Sequence, residues 1–273
     1  MSDHTMCVYE DAEGVVEVPL TAADKTDILQ IHNDYRKNVL PKATDMQKMY
    51  WDDELAVIAA KWARVCITGH DSLRGRHVPG YGLPVGQNYA FGTDNWASAI
   101  RTWFLENLLY TYGEHPPTYI GEDGWKDIAH YTQVVRNISS RVGCGKAICP
   151  ENKEVYVCNY AHGNPEELAY PYTSVGDGEE PCSACPDTCS DNLCDCEGKL
   201  CLNGGTLDPN TCTCSCYDLF TGDTCDQPIC TGAEDASVCI QPRPGGFPDD
   251  KCYYRNVRLS CPIMCGICPG VQY

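Results

Sequence analysis

The chain has 273 residues, a net charge of −18 and 21 cysteines. That length exceeds one small domain, and the acidic balance argues against binding nucleic acid or anionic lipid through bulk electrostatics. Sixteen of the cysteines crowd between Cys182 and Cys268, so the second part is disulfide-scaffold material and the mature protein belongs in an oxidising, extracellular compartment.

Residues 1–20 read as an acidic, irregular extension carrying Cys7. The start, Met1-Ser2-Asp3-His4-Thr5-Met6, has no apolar h-region, so no signal peptide is visible in this sequence. No run of about 18 apolar residues is present to form a transmembrane segment. Thr21 then predicts a helix start, with Asp24 in the capping-box position. Ile28, Ile31 and Tyr35 follow as one apolar stripe, and Pro41 closes the segment.

A second helix is predicted from Asp52-Asp53-Glu54, whose carboxylates suit a helix N-terminus. Leu55, Ile58, Ala59, Trp62 and Cys66 keep its period. Residues 68–86 read as a Gly- and Pro-rich loop. A third helix is expected from about Asn95 to Leu108, with Trp96, Ile100, Trp103 and Phe104 inward, and a short one around His130–Val135. Residues 142–149 and 154–160 read as two strands joined by a Pro-Glu-Asn turn. Helices followed by a hairpin make an α+β layered domain. After Tyr172 apolar periodicity stops, placing the boundary near residue 173.

The first 170 residues resemble the CAP superfamily, the cysteine-rich secretory protein, antigen 5 and pathogenesis-related 1 domain. The likeness is carried by Met49-x-Trp51-Asp52-x-x-Leu55-Ala56, Ala60-x-Trp62-Ala63-x-x-Cys66, His70, Gly86-x-Asn88 and Trp103-x-x-Glu106. His130-Tyr131-Thr132-Gln133-Val134-Val135, Val142-Gly143-Cys144-Gly145 and Cys158-Asn159-Tyr160 complete it. The resemblance implies a three-layer α-β-α sandwich over residues 21–173, with disulfides Cys66–Cys144 and Cys149–Cys158. Cys7 is left unpaired.

The tail divides into three parts by the same kind of resemblance. Residues 174–195 look like the cysteine-rich hinge of cysteine-rich secretory proteins, implying Cys182–Cys189 and Cys185–Cys194. Residues 196–227, with Cys201-Leu202-Asn203-Gly204-Gly205 and Cys212-Thr213-Cys214-Ser215-Cys216, look like an EGF-like module, implying Cys196–Cys212, Cys201–Cys214 and Cys216–Cys225. Residues 228–273, ending Cys261-x-x-x-Cys265-x-x-Cys268, resemble a ShK-toxin-like (ShKT) module, implying Cys230–Cys268, Cys239–Cys261 and Cys252–Cys265. Six cysteines alone allow 15 connectivities.

The resemblance also places a cleft tetrad at His70, Gln87, Glu106 and His130. Two imidazoles and a carboxylate, His70 and His130 with Glu106, suit Zn²⁺ with a position open to water, and a metal-bound water supports hydrolysis. Gln87 stands where the family has Glu, and an amide is neither base nor good Zn²⁺ ligand. The same residues equally suit a buried hydrogen-bond network, in which Gln87 relieves the cost of two close carboxylates. No nucleophile motif surrounds Ser72, and no catalytic residue is assigned. Asn137-Ile138-Ser139 is an N-glycosylation sequon. Lys251 beside Tyr253 or Tyr254 is set against a channel-blocking pair, although Asp249 and Asp250 weaken its charge. The expectation is a secreted, non-enzymatic CAP protein that binds extracellular proteins, receptors or an ion channel in venom or defence. The alternatives are a metal-dependent hydrolase at the cleft and a lipid or sterol carrier.

Overall fold

The structure, a computed structural model, describes residues 4–114, 127–163, 168–174, 180–239, 252 and 255–269. Lys251, Tyr253 and Tyr254 lie outside the described residues. Among those described, no helix is long and apolar enough to cross a membrane.

The chain divides into two compact units, the first comprising residues 1–76, 85–198 and 209–211. It opens with α1 (Thr5–Val8) and β1 (Val16–Val18), both within the stretch expected to be irregular. In α2 (Ala22–Arg36) the Thr21 side chain accepts from the Asp24 amide while the Asp24 carboxylate accepts from the Thr21 amide, so the expected capping box is formed. The short β2 (Tyr50–Trp51) leads to α3 (Asp53–Val65), capped by Asp52, which accepts from Leu55 N at 3.0 Å. β3 (Val85–Phe91) follows, then α4 (Trp96–Phe104), which tightens into a 3₁₀ turn over Leu105–Leu109. α5 (Ala129–Val134), β4 (Arg141–Cys149) and β5 (Lys153–Ala161) complete the layers, the last two joined by Pro150–Asn152 as expected.

The strands form one sheet in the order β1-β4-β5-β3, with β2 pairing parallel to β4. Side-chain parity sorts the sheet into two faces. Val142, Cys144, Tyr156, Cys158 and Tyr160 pack with residues of α2, α4 and α5, including Ile28, Ile100, Trp103 and Val134. Ala147, Cys149, Val155 and Val157 pack against Ala59, Trp62, Ala63 and Val65 of α3. This is the expected α-β-α sandwich. Gly143 and Gly145 share the α3 face, and there the helix backbone comes so close that a Cβ would lie 2.2 Å from Ala56 N and from Ala60 Cα respectively. The motif Val142-Gly143-Cys144-Gly145 is therefore a groove for a helix.

The same parity corrects two disulfides. The bonds are Cys66–Cys149 and Cys144–Cys158, not Cys66–Cys144 and Cys149–Cys158. Cys144 and Cys158 face each other in the β4–β5 register on the side away from α3. Cys149, an odd number of residues further on, points to the α3 face, where Cys66 caps that helix in a left-handed conformation. Cys7 is free and exposed.

The segment 180–198 belongs to this first unit. Cys182–Cys189 and Cys185–Cys194 staple it, and it carries the paired two-residue strands β6 (Cys189–Ser190) and β7 (Leu193–Cys194). The backbone of Cys194 bridges to residues 46–48. Asp195 accepts from Lys48 Nζ at 2.8 Å and from Tyr50 Oη at 2.6 Å.

The second unit comprises residues 77–84, 199–208 and 212–273. Its described secondary structure is sparse: β8 (Thr206–Asp208) pairs with β9 (Thr213–Ser215), β10 (Phe220–Thr221) pairs with β11 (Gln227–Pro228), and α6 spans Arg255–Ser260. Cys201–Cys214, Cys216–Cys225, Cys230–Cys268, Cys239–Cys261 and Cys252–Cys265 pair as the resemblance implies. Cys196 and Cys212 are both disulfide-bonded. Among its described residues few apolar side chains are buried, and such bridges, each typically worth about 2–5 kcal/mol, substitute for a core.

Candidate functional site

All four tetrad positions fall in the first unit, where three different elements and a loop deliver them. Glu106 stands on the 3₁₀ turn after α4, His130 in the first turn of α5, Gln87 in β3 and His70 in the loop after α3. The rings of His70 and His130 lie 5.8 Å apart, centroid to centroid, inclined at 38°.

Glu106 is fully committed. Its Oε1 accepts from His130 Nδ1 at 2.6 Å, and its Oε2 accepts from the backbone amides of His130 and Tyr131 at 2.8 and 3.0 Å. The residue before α5, Ile128, offers no side-chain cap, so a carboxylate from another element closes the open helix end. One side chain thus orients the helix and holds the His130 proton on Nδ1, leaving Nε2 as the nitrogen available to a ligand.

Gln87 performs the matching task for His70 through a chain of fixed amide orientations. Asn159 donates through Nδ2 to Leu55 O at 3.4 Å, which turns its Oδ1 toward Gln87. Gln87 and Asn159 are register partners across β3 and β5, and Gln87 Nε2 donates to Asn159 Oδ1 at 3.0 Å. The same Nε2 donates to Asp71 Oδ1 at 3.0 Å. With its nitrogen committed, Gln87 turns Oε1 to His70, whose Nδ1–H donates to it at 2.9 Å. His70 also presents Nε2. His70 as a residue is exposed; partial withdrawal of its ring from water, with the charge of nearby Arg76, lowers its proton affinity below the ordinary histidine value.

Asp71 carries no motif and was not among the expected site residues. It is buried, 5% exposed, and its carboxylate also accepts from Arg76 Nη1 at 2.7 Å and from Thr5 Oγ1 at 2.6 Å. The carboxylate beside Gln87 is therefore Asp71, while Glu106 serves His130 and Tyr131. A buried carboxylate demands donors, but only the fold brings Thr5, Arg76 and Gln87 to it.

The donors suit a metal only in part. Two imidazoles sharing one tetrahedral Zn²⁺ place their centroids about 5 Å apart, close to the spacing of His70 and His130. Glu106 does not converge with them: among the described residues, the set of three His, Cys, Asp or Glu donor atoms lying within 4.8 Å of one another is Cys182, Cys185 and Cys194, all of which are in disulfides and offer no thiolate. Ser72 Oγ accepts from Gly75 N in the loop after His70. The sequon at Asn137 is half-buried; its Nδ2 donates to Asp45 at 2.6 Å, and Ser139 is fully buried.

The α-β-α sandwich, with His70 and His130 side by side and each anchored at Nδ1, is the architecture of a CAP domain. The profile described as "CAP: Cysteine-rich secretory protein family" matches residues 29–160. The chain is 37% identical over 280 residues to the cysteine-rich venom protein of Conus textile, covering 98% of this chain and 87% of that one. It is 35% identical over 274 residues to cysteine-rich venom protein Mr30 of Conus marmoreus, covering 97% and 87%. Cysteine-rich secretory protein 3 of Homo sapiens is 38% identical over 175 residues, 62% of this chain and 66% of that protein. Among solved structures, Na-ASP-1 is similar with a TM-score of 0.51 at 25% identity over 67% of this chain; the match spans about half, 51%, of that chain. The structure titled NaASP2 with Zn2+ has a TM-score of 0.50 at 23% identity, covering 67% and 99%, and shares the fold. The chain belongs to the cysteine-rich secretory protein (CAP) family.

Proposed function

We propose that this is a secreted CAP protein that acts by binding an extracellular protein, with an ion channel or receptor of excitable tissue as the favoured target class. The observation that carries this reading is the extent of the match to two Conus cysteine-rich venom proteins: it runs through the disulfide-rich tail as well as the CAP domain. We read residues 196–227 as an EGF-like spacer and 228–273 as a ShKT-like module, in support of which five tail bridges pair as those modules require. Catalysis is disfavoured by the cleft, where the one carboxylate of the tetrad is consumed as a helix cap and position 87 is an amide. The test is whole-cell recording from cells expressing voltage-gated channels, with the full oxidised chain applied. A saturable, reversible change in current is expected. No change at micromolar concentration, together with turnover of a peptide or ester substrate, overturns the reading.

A second reading, that the cleft holds Zn²⁺, is favoured by the spacing and matched tautomers of His70 and His130. These two Nε2 atoms would take two positions, and the ion would supply Lewis acidity at the remaining ones. Calorimetric titration of Zn²⁺ into the wild type and His130→Ala decides it: heat in the first and none in the second is expected, and no heat in either ends it.

A further inference from the structure

Gln87 is held by a residue outside the tetrad. Gln87 Nε2 and Asp71 Oδ1 are 3.0 Å apart, and Gln87 is 6% exposed. A glutamate at 87 would set a second carboxylate oxygen against Asp71 at that distance, in a site where little water screens the repulsion. Asp71 is already committed to other donors. Its charge is matched by Arg76, itself 7% exposed, which donates through Nη1 to Asp71 and through Nε to Val85 O at 3.0 Å. Thr5, fully buried, donates to the other carboxylate oxygen, and its backbone amide donates to Gly75 O at 2.9 Å. A neutral residue at 71 would strand the Arg76 charge; an anionic one at 87 would oppose the Asp71 charge.

We infer that Asp71 is the positioning residue of the His70 side of the cleft: it selects an amide over a carboxylate at position 87, and through that amide it fixes which nitrogen of His70 faces a ligand. The inference goes beyond the proposed function and holds whether the cleft meets a protein, a cation or neither. It makes the pair 71 and 87 a single unit carrying one negative charge. It also brings the amino-terminal helix, through Thr5, into the frame that supports His70.

A charge-swap cycle on the full chain tests this, using Gln87→Glu, Asp71→Asn and the double variant carrying both. The double variant keeps a single negative charge on the pair, at the cost of the bonds that Asp71 Oδ1 accepts from Arg76 and that Gln87 Nε2 donates to Asn159. Gln87→Glu is expected to lower the thermal midpoint, and Asp71→Asn added to it to restore part of the loss by removing the repulsion, although Asp71→Asn alone is destabilising. Long-range ¹H–¹⁵N spectra of the imidazoles supply a readout that a merely structural role would not move. Neutral His70 is expected to carry its proton on Nδ1 in the wild type and in Gln87→Glu, whose carboxylate only accepts, and to lose that preference in Asp71→Asn, where Gln87 Nε2 no longer has a carboxylate to hold it. If Gln87→Glu does not fold, recovery of folding in the double variant supports the inference. A double variant no more stable than Gln87→Glu, a Gln87→Glu as stable as the wild type, or a wild-type His70 protonated on Nε2 overturns it.

Discussion

Glu106 Oε1 accepts from His130 Nδ1 at 2.6 Å while Glu106 Oε2 accepts from the amides of His130 and Tyr131 in the first turn of α5. The residue most readily taken for a general base is thus a helix cap supplied in trans by another element. Truncation in Glu106→Ala leaves two backbone donors and one imidazole donor without their acceptor. The expected loss is about 2–3 kcal/mol of folding stability, measured as a shift in the urea midpoint. Glu106→Gln, which retains one acceptor oxygen, should lose less.

A pH dependence follows from His32. It is fully buried, donates through Nδ1 to Ile28 O at 2.8 Å and accepts at Nε2 from Tyr160 Oη at 2.9 Å. Burial holds its proton affinity down to about 4, against 6.5 for the free side chain. The unfolded chain therefore binds the extra proton first. This histidine's contribution to stability is complete above about pH 6.5, falls as the pH drops toward 4, and is gone below it. The expected contribution is about 3 kcal/mol across that window. Chemical denaturation at pH 7, 5.5 and 4 measures it, and His32→Gln should make the profile shallower, leaving the share of His162, whose proton affinity burial also lowers to about 4.

The corrected disulfides give a direct covalent check. Peptide mapping under non-reducing conditions should recover Cys66 linked to Cys149 and Cys144 linked to Cys158. Cys7 should alkylate without prior reduction.

Legibility from sequence followed how local the deciding physics was. The capping box at Thr21, the Asp52 cap and the Pro-Glu-Asn turn are read within a few residues, and each is present. Strand β3 was hidden because Val85-Gly86-Gln87-Asn88 is buried on both faces and shows no alternation. In α2 the residue spacing was readable but the chemistry was not. The buried row is Ile28, His32 and Arg36, while Ile31 and Tyr35 are only half-buried. Arg36 is tolerated inside because it donates to the carbonyls of Gln47, Val134, Arg136 and Asn137, which come from a loop and from the end of α5 and the turn after it. The tetrad was legible by resemblance; Asp71, which orients it, was not, since its partners Thr5 and Gln87 lie 66 and 16 residues away. The Cys66 and Cys144 pairing failed for want of one fact, the face of β4 on which each cysteine lies.

If the protein acts by binding a channel, as proposed, His70 and His130 serve as scaffold and their removal leaves the effect on current unchanged. The most direct measurement is the dose–response of channel current to the full chain and to a His70→Ala/His130→Ala variant whose folding has been checked by circular dichroism. Half-maximal concentrations within about twofold of each other are expected. A loss of tenfold or more, equal to about 1.4 kcal/mol, would place the function in the cleft and contradict it.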